Sequence, residues 1–438
     1  MRRRPALAVG FIGGVCAIII GVAFVWGRRL QGVHPEVNLG AAPFVGRWKW
    51  RPSLHVLPAV VLGVAVVVVG PSVARRLRFG MLAVGSAISA AAFALLLAAA
   101  DGGAAVLAPV VNPTEYFASV AKLPPAGDIL RQYGTRKFLV NYSPHLKGHP
   151  PGFVLILKAM RFIGLDKPWQ AGALSFLGVA MMVAAVLVAV RTVIDRNAAT
   201  MLAPFLVLAP FAVWLGTSAD AFFTGVFATG VALAAIAGRA PTLVRGVGVA
   251  TVAGATLAGT MYLTYGATTL LPLPFVLLIG GVGRSWSSWL VRTISCGLGA
   301  LAVFVLFGHF GFSWFDGLRT TRGLYWEGTA KFRPWTYFVV GNIVVLLIAV
   351  GPAVVASWAV VSRVDRNEVT RWLLVLPAML GIAVANASQL SKGEVERIWL
   401  LFMPWLLSAT VSLRRTRWWL AAQLTTAVLL QTWLVSKW

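Results

Sequence analysis

Four short stretches group the side chains in this sequence best suited to acid–base or ionic chemistry. They are Asn112-Pro-Thr-Glu-Tyr116, Tyr142-Ser-Pro-His-Leu-Lys-Gly-His-Pro-Pro-Gly152, Thr217-Ser-Ala-Asp220 and Glu394-Val-Glu-Arg397. A carboxylate held within hydrogen-bonding reach of a hydroxyl can take its proton, which makes Glu115 and Asp220 the candidate catalytic bases, with Asp101 a third acid to consider. Arginine grips phosphate through two parallel hydrogen bonds. Arg397, Arg319 and Arg322, with Lys147, are therefore the candidate phosphate-binding cations, and Tyr116, His149 and Glu396 the residues placed to line the same site. Each has a structural alternative. Glu115 suits the first turn of a helix after Pro113, where the helix dipole favours an acid; Ser218 and Asp220 suit a helix cap; Asp101 suits a helix end reaching for water; and the cations suit lipid headgroups.

His145 and His149 are four apart, but Pro144 precedes them and Pro150 and Pro151 follow, so they do not share a helix face as zinc ligands would. No metal site is expected, no cofactor is expected, and nothing indicates a divalent cation. His149 is expected to orient its loop or contact a substrate, while Pro150 and Pro151 open a helix where a missing N–H is tolerated. Cys16 and Cys296 both lie in apolar runs, which excludes a disulfide framework. There is no phosphate-cradling glycine loop.

These residues must be positioned by membrane-embedded elements. Of 438 residues 59% are hydrophobic and 12% charged, against about a quarter charged in a soluble domain. The net charge of +25 would suggest nucleic acid in a soluble chain; here it points to lipid headgroups and phosphates, not to nucleic acid. Apolar runs of about 20 residues, long enough to cross a bilayer, recur from end to end. About thirteen can be drawn, centred near residues 16, 62, 91, 180, 207, 229, 256, 274, 298, 349, 379, 404 and 427. The expected fold class is all-α, a polytopic membrane protein with one domain over 1–438: an N-terminal helical hairpin (1–79), a core (80–412) and a C-terminal span (413–438).

Short loops at Arg75-Arg76, Arg191 to Arg196, Arg239 to Arg245, Arg284, Arg363 to Arg371 and Arg414 to Arg417 fall on one side if the N-terminus is cytoplasmic, the pattern of positive residues inside. The basic connection from Gly27 to Ser53 falls on the other side and breaks the pattern. The run from Gly152 to Gly164 has Lys158 and Arg161 and is too short to cross; it is expected to lie at the interface. The long outer connections are then Val110 to Gln170, Phe312 to Trp335 and Gln389 to Arg397. Of the 13 acids only Asp195, Asp365 and Glu368 fall inside, leaving ten on or near the outer face, a skew that topology alone does not require.

The order and spacing of the four stretches over residues 80–412 resemble the GT-C superfamily of glycosyltransferases that use polyprenyl-phosphate sugars, especially its protein O-mannosyltransferase and lipid A aminoarabinose transferase branch. Glu115 and Tyr116 fit that branch's acidic motif, with Thr114 where Asp is usual, and His149-Pro150-Pro151 fits its His-Pro-Pro-Leu type motif, with Gly152 in place of Leu. Thr217 to Phe223 resembles the second outer loop, and Glu396-Arg397-Ile-Trp-Leu-Leu-Phe-Met-Pro404 the late arginine signature, with Ile and Trp after the Arg. The resemblance implies a GT-C-like helix arrangement with a juxtamembrane helix in the first long outer loop. It also implies transfer, with inversion, of a monosaccharide, mannose or arabinose by expectation, from a polyprenyl-phosphate donor. The acceptor would be a cell-envelope lipid or glycan at the outer face of the plasma membrane.

Two rival classes fit the same composition: a multi-span transporter, and a non-catalytic lipid-binding or assembly protein. A transporter is expected to bury ionisable residues at mid-bilayer or to show paired repeats; apart from Arg292 there is almost no charge near a span centre, and no internal repeat. Loss of product on Glu115→Gln or Asp220→Asn would separate an enzyme from a scaffold.

Overall fold

In hydrocarbon, backbone amides and carbonyls have no water to bond, so a chain this apolar must satisfy them within helices. In the computed structural model, which describes residues 4–279, 286–359 and 366–436, it does so. The chain is an all-α membrane protein whose only strands among the described residues are two-residue segments, Arg47–Trp48 paired antiparallel with Leu434–Val435. Among the described residues eight helices are long and apolar enough to cross a membrane, or nine if one bent pair is counted as a span. Arg284 and residues 363–365 of the expected Arg363 to Arg371 stretch lie outside the described residues, while Arg371 is buried within Arg366–Ala387.

Eight or nine is fewer than about thirteen apolar runs, and proline accounts for much of the difference. Arg196–Val207, with Pro204 inside, stops after 12 residues and Pro210 opens a 3-10 turn. The run near 274 divides into a 3-10 turn, Tyr265–Leu270, and an eight-residue helix, Pro272–Ile279. Near 404 the chain forms only Met403–Leu406 and a 3-10 turn to Ser412. Hydropathy reads composition and does not register such breaks. The run near 349 bends by 103° between Trp335–Val350 and the segment from Pro352. Gly351 takes φ +83° there, and Gln423 of the C-terminal helix donates to Val350 O (2.9 Å) and accepts from Ala353 N (3.4 Å). The backbone groups freed by the break are thus met within the protein.

Small residues let the central helices approach closely, since lipid gives no hydrophobic drive for them to associate. Pro168–Val193 and Ala219–Arg239 meet at Gly178 and Gly225, where an added Cβ would lie 2.4 Å from Ala221 O and from Gly178 O respectively. Leu243–Met261 and Trp286–His309 meet in the same way at Gly254 and Gly299. The first contact fixes the height of Ala219–Arg239, whose first turn carries Asp220.

The two ends of the chain are pinned to one face of the bundle. The first helix, Arg4–Val33, packs on Trp335–Val350 and Pro352–Ala359, while Leu57–Arg76 packs on Arg196–Val207 and the C-terminal helix Thr416–Trp433. Between them, Arg51 pairs with Asp101 and donates to Gln431 O and Leu434 O, and Val37 O accepts from Arg333 Nε at 3.1 Å. The basic connection from Gly27 to Ser53 therefore lies at the same end as the three long connections. Asp101 is an ion-pair partner in this seam, bonded also by Gln431 at 3.3 Å.

The connection after residue 107 is folded into short helices, the last of them Gly152–Phe162. Eleven residues reach only about 16 Å, too little to cross. One face, Phe153, Val154 and Leu157, is buried, Lys158 Nζ donates to Leu123 O at 2.7 Å, and Phe162 is exposed. The sequence leads us to expect a segment here that does not cross, and among the described residues this helix is not one of those long enough to do so. Gly152, in place of the Leu of the motif it resembles, has a steric cause: its N–H donates to Tyr262 O at 2.8 Å, and a Cβ would stand 2.3 Å from that oxygen.

Candidate active site

Three of the residues singled out in the sequence converge. Arg397 sits on the short helix Val395–Ile398 and is buried, at 4% exposure. Its Nη1 meets Glu115 Oε1 at 3.1 Å and its Nε lies 3.3 Å from Asp220 Oδ2. A cation thus stands between two carboxylates drawn from different connections, an arrangement that persists in low dielectric only when the charges are paired.

Local structure explains each placement. Asn112 Oδ1 accepts from Thr114 N (3.0 Å) and Thr114 Oγ1 (2.9 Å), an Asx-type turn that turns Glu115 to the start of Tyr116–Val120. Glu115 occupies the cap position but makes no side-chain cap; its carboxylate faces Arg397 instead of the helix. Thr114, where the resembled motif has Asp, offers its backbone oxygen to His145. Ser218 is the cap of Ala219–Arg239, accepting from Asp220 N at 3.2 Å, and its hydroxyl donates at 3.4 Å to Asp220 Oδ2, the oxygen that also faces Arg397. Arg397 is held by a loop in which Gln389 (φ 59°), Gly393 (φ 82°) and Glu394 (φ 63°) all take left-handed backbone. Asn342 anchors that loop, accepting from Gly393 N at 3.1 Å and donating to Ser391 O at 2.8 Å.

Two histidines complete the cluster. His145 Nε2 lies 2.6 Å from Arg397 Nη2, and its Nδ1 lies 2.7 Å from Thr114 O and 3.1 Å from Glu115 Oε1. His149 Nδ1 bonds His145 O at 3.1 Å, and its Nε2 stands 4.0 Å from Asp220 Oδ1. Tyr116 is buried with its ring stacked on His145 and edge-on to His149 and Phe153; its hydroxyl has no hydrogen-bond partner among the described residues. Sequence reasoning placed Tyr116 and His149 in the site and missed His145, whose partners are 31 and 252 residues distant. The signal was present in the repeated His four residues before His149, and the flanking prolines hid it, because they rule out only a shared helix face.

Burial sets the electrostatics. It pushes the Glu115 carboxyl up to about 7, against the lowering pull of Arg397. It holds His145 well below the ordinary imidazole value, with Arg397 adding to the effect, and lowers His149. Burial also works against the Arg397 charge, but Asp220 and Glu115 overcome it and raise that group further. A carboxyl poised near neutrality beside a fixed cation can exchange a proton with a bound hydroxyl at ordinary pH.

A small recess adjoins the cluster, lined by Glu115, Tyr116, Ser175 and Thr217 and by the apolar Val110, Phe117, Phe153, Leu157, Ala171 and Ala219. It lies between the Gly152–Phe162 helix and the Pro168–Val193 helix, and Glu115 is the charged residue on its lining.

The other expected phosphate ligands are not in this cluster. Arg319 is exposed and paired with Asp316 at 2.7 Å, Arg322 is exposed, and Lys147 is half-buried. Among the described residues none of the three is bonded to Glu115, Asp220 or Arg397. Arg319 and Arg322 lie on the solvated side of Trp314–Glu327, which packs on the Pro144–Gly148 helix. Glu396 is fully buried beside Arg397. Among the described residues no group of three or more His, Cys, Asp or Glu is placed to hold a metal. A scan of the chain against protein-family models finds no match, and comparison with curated proteins finds none.

Proposed function

We propose that this chain is a membrane glycosyltransferase of GT-C type that moves a monosaccharide from a polyprenyl-phosphate donor to a cell-envelope lipid or glycan at the outer face of the plasma membrane. The observation that carries the reading is the meeting of Glu115, Asp220 and Arg397 beside a recess that Glu115 lines together with several apolar residues. A lipid-linked sugar likewise joins charged and apolar parts: a long hydrocarbon tail, a charged phosphate, and a reacting carbon beside it.

In this mechanism the phosphate enters the field of Arg397, where a fixed cation meets the charge that develops as the sugar leaves. Glu115 or Asp220 takes the proton of the acceptor hydroxyl. The oxygen attacks the anomeric carbon, the bond to the phosphate oxygen breaks, and the polyprenyl phosphate leaves with the electron pair. A single displacement inverts the anomeric centre. Mannose and arabinose are the sugars to test first.

Mass analysis of envelope glycolipids and glycans from cells with and without the gene tests the reading. The expected result is a hexose or pentose missing from one product, restored by the wild-type gene and not by Glu115→Gln or Asp220→Asn. An unchanged glycan profile, or restoration by both variants, favours transport or assembly instead.

A further inference from the structure

The bond between His145 and Arg397 fixes a protonation state. A guanidinium carries only donors, so the 2.6 Å contact of Arg397 Nη2 with His145 Nε2 requires a lone pair on Nε2. The ring proton of neutral His145 then resides on Nδ1, where two acceptors wait: Thr114 O at 2.7 Å and Glu115 Oε1 at 3.1 Å. Glu115 and Arg397 are themselves 3.1 Å apart. The three side chains close a triangle in which every side is a polar contact and every corner is at least largely buried.

We propose that His145, as the Nδ1–H tautomer, is the positioning residue that locks Arg397 against Glu115 in the sugar-transfer site. This rests on the function proposed above. His145 touches neither donor nor acceptor in this account; it acts through its two neighbours. As an acceptor it fixes the roll of the planar guanidinium, which decides where Arg397 presents charge. As a donor it supports the ionised form of Glu115. The charged and titratable groups facing it are Arg397 from Val395–Ile398, Glu115 and Tyr116 from the 112–120 stretch, His149 from its own loop, and Asp220 across Arg397. Stacking on the Tyr116 ring holds the imidazole plane. A second ring proton would point an N–H at an N–H of Arg397, and the burial and the Arg397 charge that keep His145 unprotonated guard against it.

Nitrogen-15 spectra of the full chain in lipid nanodiscs, labelled at histidine, read the tautomer directly. The signal assigned to His145 by its absence in His145→Gln is expected to show protonated Nδ1 and bare Nε2 at about pH 7; a protonated Nε2, or an imidazolium, overturns the proposal. Transfer from polyprenyl-phosphate mannose and polyprenyl-phosphate arabinose supplies the second readout. His145→Phe is expected to lower the rate roughly tenfold to a hundredfold and to move the midpoint of the acidic limb up by roughly one unit, because the Glu115 carboxylate loses a donor. His145→Gln, whose amide oxygen can still accept from Arg397, is expected to recover most of that rate. Equal rates for the Phe and Gln variants, or an unmoved midpoint, overturn the positioning role. A wild-type chain with the expected tautomer that transfers neither sugar leaves the triangle standing and overturns the function.

Discussion

Glu115 and Arg397 are 282 residues apart in the chain and 3.1 Å apart in the fold. Neither end of that contact comes from a long helix. Glu115 is set by an Asx turn after a broken apolar run, and Arg397 by a loop with three left-handed residues that Asn342 ties down. The membrane-crossing helices act as the frame on which two irregular segments are brought to one point.

With Glu115 as the base of the proposed transfer, the acidic limb of the pH profile is expected to follow its titration. Its carboxyl is raised to about 7 by burial, and a general base works only when ionised, so the transfer rate is expected to rise with pH through a midpoint near 7. Stability moves the other way. The fold holds the proton of Glu115 up to about 7 where the unfolded chain releases it near 4.5, so this group stabilises the fold below 4.5 and that contribution is lost as pH rises through 7. Rates and thermal midpoints measured from pH 5 to pH 9 check both signs; a rate flat across that range assigns the base elsewhere.

Arg397→Ala leaves Glu115 and Asp220 buried without their cation. Breaking a buried pair in this way costs about 3–5 kcal/mol, and detergent-solubilised variant protein is expected to unfold at a clearly lower temperature. Arg397→Lys keeps the charge but cannot span Glu115, Asp220 and His145 together. It is expected to retain more stability than the Ala variant while losing on the order of a hundredfold in transfer rate. Equal melting temperatures for wild type and Arg397→Ala would show that the ion cluster does not hold the fold.

Asp101→Asn separates the acids from one another. Asp101 pairs with Arg51 at partial exposure, a contact worth about 0–1 kcal/mol, and it stands in the seam that joins residues 47–51 to the C-terminus. Transfer activity is expected to stay within about twofold of wild type. A loss comparable to that of Asp220→Asn would place Asp101 in the chemistry.

Gly152→Leu restores the residue usual in the motif this stretch resembles, and is expected to harm this chain. A Cβ at that position meets Tyr262 O at 2.3 Å, backbone that cannot move without shifting the end of Leu243–Met261. The expected loss is about 1–3 kcal/mol, read as a lowered unfolding temperature and a smaller folded fraction on size-exclusion chromatography. Unaltered stability would mean that the close approach of Gly152 to Tyr262 is not made.

Much of the site was legible in the sequence because its residues are polar islands in an apolar chain. Glu115, Asp220 and Arg397 stand out where the cost of burial must be repaid by a partner. The surface cations were harder to sort: Arg319 and Arg322 carry the right charge in the right connection, yet the amphipathic helix that bears them turns them to solvent. His145 was overlooked since its role depends on a contact 252 residues distant. Among the spans, the long apolar helices near residues 16, 62, 91, 180, 229, 256, 298 and 379 are where hydropathy placed them. Those near 207, 274, 349 and 404 are broken by proline or glycine and satisfied by neighbours such as Gln423, which is tertiary information.

The most direct measurement of the central claim uses purified chain in lipid nanodiscs with polyprenyl-phosphate mannose and polyprenyl-phosphate arabinose carrying radiolabelled sugar, incubated with extracted envelope lipids and glycans as acceptors. The account predicts label moving to an acceptor in wild type and in Asp101→Asn, and falling by on the order of a hundredfold or more in Glu115→Gln and Asp220→Asn. Label that stays on the polyprenyl carrier with wild type, or that moves equally well with both acid variants, would contradict it.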